Sequence, residues 1–478
     1  MAMGTGYFLV RGDKTTCGGK IIEGADDHTI MGIPQARDMD RVTCGRYPGM
    51  FIIVGGVPET DIHGRLMAGT LDSQSSCPCK ARFIASMMDD TYETDDGESE
   101  AEQHAQSAKK DLTSGSDSSS DDVKLDYRIK LSGNKILTPL NIPDYKEMIS
   151  GGSTKNTEKI DFTITNKGDE TEALSLEVLD GNEVIYSERQ TGKYCDKGEH
   201  AWQWDGYSNQ GILDTTKIKS KSLLVRLIAL CGDMMIKVDY PLKTSANEED
   251  WIDVKVDKNQ KIVDVSWRVE FEDDGVSHKD DRIAPVGFEK LKQLAKDGME
   301  YYWARNGMRN PGIGNNITTP HGKYNVNISV SINIDPAMDS FDLIEEQDLE
   351  SVRSSAFMGR MNIYFNRGYY EYGRGYKKGA DPVFKAGLEF KLDVAHETGH
   401  MILKSYGGNT YSWEHKGTSN LVPPQYALPH SVYPGTGEID LMKYYDGHIY
   451  TSDLYARSVA VENDVCAMIW LSRVKFHD

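Results

Sequence analysis

Apolar and polar residues alternate in several short runs between about residue 125 and residue 275. Residues 160–165, 174–178 and 236–240 each repeat with a period of two, which puts every second side chain on one face of a strand. Turn-forming residues, such as the sequence NKGD at 166–169, separate the runs. Short strands joined by regular turns predict a β-sandwich in this part of the chain.

From about residue 280 the pattern becomes mixed. Residues 288–302 are amphipathic with a helical period, whereas residues 324–332 and 361–365 alternate like strands. A second helix is predicted to begin at Asp381-Pro382 and to end at Gly407-Gly408. Its apolar positions recur at helical spacing and are Phe384, Leu388, Leu392, Ala395 and Ile402. This order of helices and strands predicts an α+β region.

The second helix carries the sequence His396-Glu397-Thr398-Gly399-His400. Residues four apart on a helix project from one face, so both imidazoles can ligate the same zinc ion. Glu397 lies beside them and is placed to take a proton from a zinc-bound water. The spacing therefore predicts a hydrolytic zinc site, although an amphipathic helix with two unrelated histidines has the same spacing.

A catalytic zinc site needs a third protein ligand and an open position for water. His415 is our first choice, because the chain from Gly408 to His415 can cover up to about 23 Å and so return to the helix. Glu438 and Asp440 follow later in the chain and are the alternatives. The identity of the third ligand stays open at this point.

Size and charge limit the classes of protein to be considered. A chain of 478 residues exceeds one typical core, so two to four domains are expected. The formal net charge of −20 argues against a nucleic-acid partner. No apolar run reaches the length of a membrane helix, so no stable membrane insertion is expected. The first residues do not form a secretory signal, and export would therefore need another machine.

One segment has the composition of a linker. Between residues 89 and 122, twelve acidic residues face only two lysines, and serine and glycine fill much of the rest. Such a segment buries too little apolar surface to offset the entropy lost on ordering. We therefore predict a flexible, self-repelling linker.

Four of the seven cysteines, Cys17, Cys44, Cys77 and Cys79, lie in the first 80 residues. Three of them stand in similar turn-like contexts, Thr-Cys-Gly twice and Ser-Cys-Pro once. Many glycines surround them, and residues 50–54 form a strand-like run. The pattern predicts a small, turn-rich β unit whose cysteines converge on a metal ion, with free or paired thiols as the alternative.

The first 86 residues resemble a PAAR-repeat domain, the pointed cap on the needle of type VI secretion systems. The resemblance rests on residues 11–13, 17–19, 40–44 and 76–79. It implies a short β cone that contains a zinc ion and sits on the trimeric VgrG spike. Family members often bind zinc with histidines and a cysteine. Because a cysteine stands at the histidine position here, we expect the four cysteines to be the ligands.

Two further resemblances concern the rest of the chain. Residues 200–214 resemble a motif of immunoglobulin-like spacer modules, and whether Cys195 and Cys231 pair is left open. The C-terminal order of elements is similar to that of zincin metallopeptidases. The stretch 437–445 resembles the Met-turn of metzincins, which implies that Met442 packs beneath the zinc histidines and that Tyr444 contacts the metal or the oxyanion.

The spacing departs from the metzincin pattern. Metzincins have a glycine three residues after the second histidine and the third histidine six residues after it. Leu403 and Tyr406 occupy those positions here. The resemblance therefore does not identify the third ligand.

The sequence as a whole predicts a multidomain protein. A PAAR-like spike-tip domain occupies residues 1–88, the acidic linker residues 89–122, an immunoglobulin-like β-sandwich spacer residues 123–277, and a zincin-like α+β domain residues 278–478.

The functional expectation is a type VI secretion effector. It is made in the bacterial cytoplasm and delivered into a target cell, where its C-terminal domain acts as a zinc metallopeptidase toxin. The expected partners are the VgrG trimer, a cognate immunity protein, and a protein or peptidoglycan substrate. A peptidoglycan amidase or endopeptidase and a catalytically inactive spike-cap binding protein are the alternatives.

Overall fold

The structure is a computed structural model. It describes all residues except 1–3, 48–49, 88–89, 95–123, 151–156, 233, 348–353, 358–359, 368, 372–374, 378–381, 414–426 and 448. We call residues 4–94 the N-terminal region, residues 124–277 the middle region and residues 278–478 the C-terminal region. None of the helices in the described ranges is long and apolar enough to cross a membrane.

The N-terminal region consists of short antiparallel strands joined by turns. Its strands are β1 (Gly4–Tyr7), β2 (Lys14–Thr15), β3 (Ala25–Ile30), β4 (Ile33–Gln35), β5 (Arg41–Thr43), β6 (Met50–Val54), β7 (Asp61–Ile62), β8 (Arg65–Leu66), β9 (Gln74–Ser75), β10 (Phe83–Ile84) and β11 (Thr91–Thr94). They pair as β1–β11, β2–β10, β3–β4, β5–β6–β9 and β7–β8. The buried core is small and contains Leu9, Ile21, Ala36, Val42, Ile53, Ala68 and Phe83. A core of this size gives little stability by itself.

Strand β11 belongs to this region rather than to the predicted linker. It pairs with β1 over four residues. Tyr92 packs its ring against Phe8, with the ring centroids 5.1 Å apart, and its hydroxyl accepts a hydrogen bond from the Leu71 amide. The N-terminal region therefore extends to Thr94 instead of ending at residue 88, because an aromatic residue inside the acidic segment is buried. The rest of the predicted linker lies outside the described residues.

The middle region contains two antiparallel sheets. Its strands are β12 (Tyr127–Ser132), β13 (Ile136–Leu137), β14 (Ile160–Asn166), β15 (Ala173–Asp180), β16 (Glu183–Gln190), β17 (Gly198–Trp204), β18 (Ile212–Asp214), β19 (Leu223–Cys231), β20 (Met234–Pro241), β21 (Lys243–Ala246), β22 (Ile252–Asp257) and β23 (Ile262–Ser277). One sheet has the order β12–β14–β17 and the other the order β16–β15–β19–β20. The three strands predicted from alternation fall within β14, β15 and β20, which confirms those predictions.

The N-terminal region covers the outer face of the four-stranded sheet. Strand β15 is buried along most of its length, including the polar residues Ser175 and Glu177. Arg189 of β16 forms an ion pair with Asp38, whose side chain is 2% exposed. Met39 and Ile52 form a small apolar cluster with Leu230 of β19. The polar face of β15 is thus buried by the N-terminal region rather than exposed to solvent.

The C-terminal region contains most of the helices and a further set of strands. Two short helices, α1 (Tyr145–Ser150) and α2 (Thr215–Ile218), lie in the middle region, and the C-terminal region contains α3 (Phe288–Trp303), α4 (Pro382–Trp413), α5 (Thr451–Arg457) and α6 (Glu462–Leu471). The strands of this region are β24 (Ile317–Thr319), β25 (Gly322–Ile332), β26 (Met338–Glu346), β27 (Ser355–Phe357), β28 (Arg360–Asn366), β29 (Tyr369–Glu371), β30 (Gly375–Lys377), β31 (Ile439–Asp440), β32 (Ser458–Val459) and β33 (Val474–His477). The helix predicted at 288–302 and the strands predicted at 324–332 and 361–365 are confirmed as α3, β25 and β28.

One sheet spans the middle and C-terminal regions. Its main path is β18–β22–β23–β26–β28–β27, and β25 lies beside β23. Strand β23 pairs in parallel with both β25 and β26, and β26 pairs in parallel with β28. Trp267 of β23 packs against Trp303 of α3, and its indole N–H donates to the Met468 sulfur at 3.1 Å. The predicted division at residues 277 and 278 therefore falls inside one sheet and one core.

The end of the chain is also tied to the middle region. Strand β33 lies between β13 and β21 and pairs antiparallel with both. Val474 is paired with Leu137 on one side and with Ala246 on the other. The middle and C-terminal regions consequently form one continuous unit.

Candidate metal centres

The four N-terminal cysteines come together at one point. The sulfur atoms of Cys17, Cys44, Cys77 and Cys79 all lie within 4.8 Å of one another. The Cys17 and Cys44 sulfurs are 3.5 Å apart, and those of Cys44 and Cys79 are 3.8 Å apart. Tetrahedral zinc with Zn–S bonds of about 2.3 Å places its ligand sulfurs about 3.8 Å from each other. The spacing of the thiols therefore fits a four-cysteine zinc site.

Three separate turns supply these sulfurs. Cys17 follows β2, Cys44 follows β5, and Cys77 and Cys79 follow β9. Cys77 is buried and the other three are partly exposed. Among the residues that the structure describes, this is the only group of three or more cysteine, histidine or acidic side chains that is close enough to hold one metal ion.

The thiols differ in acidity. Burial raises the pKa of the Cys17 thiol, but hydrogen bonds from the Thr15 hydroxyl and the Gly45 backbone outweigh it and lower the pKa to about 6. Burial and the neighbouring Cys44 thiol raise the pKa of Cys79 to about 11. Because zinc binds thiolates, metal uptake at this site releases protons.

The second candidate centre lies on α4. The Nδ1 atom of His396 is 2.8 Å from the carbonyl oxygen of Leu441. The Nδ1 atom of His400 is 3.0 Å from the carbonyl oxygen of Ser412 and 3.2 Å from the Ser412 hydroxyl. A carbonyl oxygen only accepts hydrogen bonds, so each Nδ1 donates, and the lone pair of each neutral ring lies on Nε2. This is the arrangement found in zinc-binding histidines that are oriented by backbone carbonyls.

The two rings are one helical turn apart, as the spacing predicts. Their centroids are 5.0 Å apart and the ring planes are perpendicular. Glu397 is next to His396 on the same helix and is 7% exposed. The helix begins at Pro382, which confirms the predicted start. Strand β28 and helices α3 and α6 provide the packing surface against which α4 is held.

Met442 and Tyr444 approach α4 from the segment after β31. Met442 is fully buried, and a Cβ atom built on Gly399 would lie 2.3 Å from its sulfur. A methionine therefore packs against the helix backbone between the two histidines, and a side chain at position 399 would displace Met442. The Tyr444 ring is nearly parallel to that of His396, with the centroids 5.9 Å apart.

The predicted third ligands have different surroundings. His415 lies outside the described residues. Glu438 accepts two hydrogen bonds from the Arg305 guanidinium, at 2.9 and 3.0 Å, and a third from the Gly314 amide at 3.0 Å. Asp440 accepts from the Met442 amide at 2.9 Å. Neither carboxylate completes a group of three ligands with the two histidines in the described part of the chain.

A break in α4 creates the acceptor for His400. Gly408 has φ 80° and ψ 179°, a conformation open almost only to glycine, and the predicted stop at Gly407-Gly408 corresponds to this break. The chain then turns so that Ser412 comes to lie beside His400, and the Ser412 hydroxyl donates to the His400 carbonyl at 2.7 Å. Sequence reasoning missed Ser412 and the Leu441 carbonyl, since a backbone acceptor carries no side-chain signal.

Replacing Gly408 with Ala is expected to destabilise the protein by about 1–3 kcal/mol, because alanine strains this backbone conformation. A Cβ atom at this position meets no other atom within 4 Å, so the effect comes from the backbone alone. Thermal unfolding of the full chain measures it. Gly435→Ala is the matched control, because its Cβ also meets nothing and its φ is not positive. Equal melting temperatures for both variants would contradict the argument.

Comparison with known families agrees with the first centre. A family model described as the PAAR motif matches residues 11–82, which include all four cysteines. No curated protein matches the chain. PAAR proteins sit on the VgrG spike of type VI secretion systems. From the convergence of the four cysteines and this match, we conclude that the N-terminal region carries a PAAR motif at residues 11–82.

Proposed function

We propose that this protein is a type VI secretion effector in which a zinc-binding PAAR tip carries a zinc-dependent amide hydrolase. The hydrolase comprises the middle and C-terminal regions together. One observation carries the proposal: His396 and His400 lie one turn apart on α4, and each donates its Nδ1 proton to a backbone carbonyl. In that tautomer the Nε2 atom of each ring carries no proton, so its lone pair is available to bind a metal ion.

The fold that we infer for this unit follows the same reasoning. The sheets β12–β14–β17 and β16–β15–β19–β20 supply an immunoglobulin-like sandwich, because both contribute buried side chains to one core. The parallel sheet and helices α3 and α4 supply a zincin-like scaffold. In this interpretation the sandwich is part of the enzyme and not a detachable spacer.

The Nε2 atoms of His396 and His400 would hold zinc, with His415 as the preferred third ligand. When bound, zinc would supply Lewis-acid chemistry at the amide carbonyl and at water. Glu397 would act as the general base for the attacking water and then as the general acid for the leaving amine. Tyr444 would donate a hydrogen bond to the negative charge that develops on the amide oxygen. Met442 fills the space beneath the histidines and keeps the helix dry on that side.

The N-terminal region gives this activity its delivery route. The cysteine-bound metal stabilises a tip whose apolar core is small. The tip binds the VgrG trimer, and the attached hydrolase is carried into the target cell. A producing cell then needs an immunity protein that blocks the site on α4. The substrate is an amide bond in protein or in peptidoglycan, because the same site chemistry hydrolyses both.

The metal content of the purified full chain tests the proposal. We expect two zinc ions per chain in the wild type, and one in the double variant His396→Ala/His400→Ala, because only the cysteine site remains. His430→Ala is the control and should keep both ions, since His430 is an exposed residue of a turn. A wild-type chain that holds a single zinc ion, unchanged in the double variant, would refute the second site.

A further inference from the structure

We propose that Tyr411 and Asp464 are positioning residues that hold the Ser412 carbonyl against His400 and so fix the metal-binding tautomer of that ring. The inference rests on the proposed zinc site and goes beyond it, because neither residue belongs to the segment His396–His400. It assigns a role to the short turn that follows the break in α4.

The first step concerns the turn itself. Ser412 is fully buried, and it lies four residues after Gly408, where the backbone dihedral angles leave the helical region. The regular helix before Gly408 therefore does not determine where Ser412 lies. The Ser412 hydroxyl bonds back to the His400 carbonyl, and the contacts of the neighbouring Tyr411 hold the turn from its other side.

The second step is the hydrogen bond at the end of the Tyr411 side chain. Its hydroxyl donates to an Asp464 carboxylate oxygen at 3.2 Å. Asp464 is fully buried in the first turn of α6, where the carboxylate is favoured by the helix dipole. The contact links the turn to a helix that is anchored in the core, since Val465, Met468 and Ile469 of α6 are fully buried.

The third step is the packing around the Tyr411 ring. Tyr145 of α1 lies with its ring centroid 4.8 Å from that of Tyr411, and Tyr406 lies at 6.1 Å. Tyr406 is itself held, because its hydroxyl donates to the Pro143 carbonyl at 2.7 Å and its ring packs edge-on against Trp470. Elements from the middle and C-terminal regions thus enclose the ring and hold the turn on several sides.

Together these contacts connect Asp464 to His400 through Tyr411 and Ser412. If the Tyr411 hydroxyl loses its partner, the turn can shift and the Ser412 carbonyl no longer directs the proton to Nδ1 of His400. Removing groups that orient a metal-bound histidine typically weakens metal binding 10- to 100-fold. Because Tyr411 acts one residue away from the acceptor, we expect an effect near the lower end, about tenfold.

The test compares Tyr411→Phe with Tyr301→Phe in the full chain. Both variants remove one hydroxyl, and Tyr301 is an exposed residue of α3. Zinc affinity of the second site is measured by competition with a chelator, after the cysteine site has been filled. The tautomer of His400 is measured in parallel in protein labelled with ¹⁵N-histidine and free of metal at α4, where Nδ1–H and Nε2–H rings give different two-bond correlations.

We expect Tyr411→Phe to bind zinc about tenfold more weakly and to show a mixture of His400 tautomers, with Tyr301→Phe unchanged. Asp464→Asn keeps an acceptor oxygen and should lie between Tyr411→Phe and the wild type. A Tyr411→Phe variant with wild-type affinity and a single Nδ1–H tautomer would overturn the inference.

The failure of the proposed function gives a different result. In that case the His400 tautomer of the metal-free protein still responds to Tyr411→Phe, but the wild-type chain takes up no zinc at α4. The positioning role then stands as a property of the fold, and the hydrolase assignment falls.

Discussion

Replacing Glu397 with Gln is expected to slow amide hydrolysis by about 10²- to 10⁴-fold while both zinc ions stay bound. Glutamine has nearly the same shape as glutamate but does not accept the proton of a coordinated water. Glu397 as a whole is 7% exposed, so bulk water cannot easily replace its carboxylate as a base. A loss of this size corresponds to a barrier about 3 to 5 kcal/mol higher.

The measurement offers denatured casein and purified peptidoglycan to the full chain and follows the release of new amino groups. Glu289→Gln, an exposed change on α3, is the matched control. Zinc content is determined on each sample. If Glu397→Gln hydrolyses either polymer at the wild-type rate, Glu397 is not the base. If the wild type hydrolyses neither while holding two zinc ions, the inactive binding protein is favoured.

Replacing Cys44 with Ala is expected to remove the metal from the N-terminal region and to unfold that region at growth temperature. The Cys44 sulfur lies between those of Cys17 and Cys79, so its loss leaves three thiols with an open side. Structural zinc contributes on the order of 10 kcal/mol to small domains. The seven-residue apolar core described above cannot replace a contribution of that size.

Limited proteolysis and zinc analysis of the full chain measure this effect. We expect rapid cleavage within residues 4–94, the loss of one zinc ion, and no binding to purified VgrG trimer. Cys231→Ala is the control, because Cys231 lies at the end of β19, outside the cluster. An unchanged proteolytic pattern in Cys44→Ala, with zinc lost, would mean that the metal is not a structural element of the tip.

Local patterns predicted much of the fold. Alternation identified β14, β15 and β20, and helical periodicity together with Asp381-Pro382 identified the start of α4. Three of the four N-terminal cysteines stand in repeated sequence contexts, and the structure brings all four within metal-binding distance of one another. These features depend on residues close together in sequence, or on side chains whose chemistry allows few alternatives.

Contacts between segments that are far apart in the sequence could not be predicted from local patterns. Nothing in residues 262–277 indicates that β23 pairs in parallel with β25 and β26 and so joins the two predicted domains in one sheet. The polar Glu177 suggests a solvent-facing position in β15, yet the N-terminal region buries it. Both outcomes depend on which surfaces meet after the local elements have formed.

The candidate site on α4 also has a part that local sequence patterns predict and a part that they do not. The positions of His396, Glu397 and His400 on one helix follow from their spacing. The pairing of Glu438 with Arg305 does not, because the two residues come from distant parts of the chain. Arg305 is 2% exposed and has no recognisable motif around it. The sequence identifies side chains that are able to bind a metal ion. It does not show that one of them, Glu438, already forms an ion pair with Arg305.

The placement of β33 between β13 and β21 delays the completion of this sheet during synthesis. Residues 136–137 leave the ribosome early, but their strand partner at 474–477 is synthesised more than three hundred positions later. Contacts of such high contact order form slowly. The three-stranded sheet therefore closes only after translation has passed residue 477. A ribosome that stalls earlier releases a nascent chain in which β13 and β21 lack the strand that joins them.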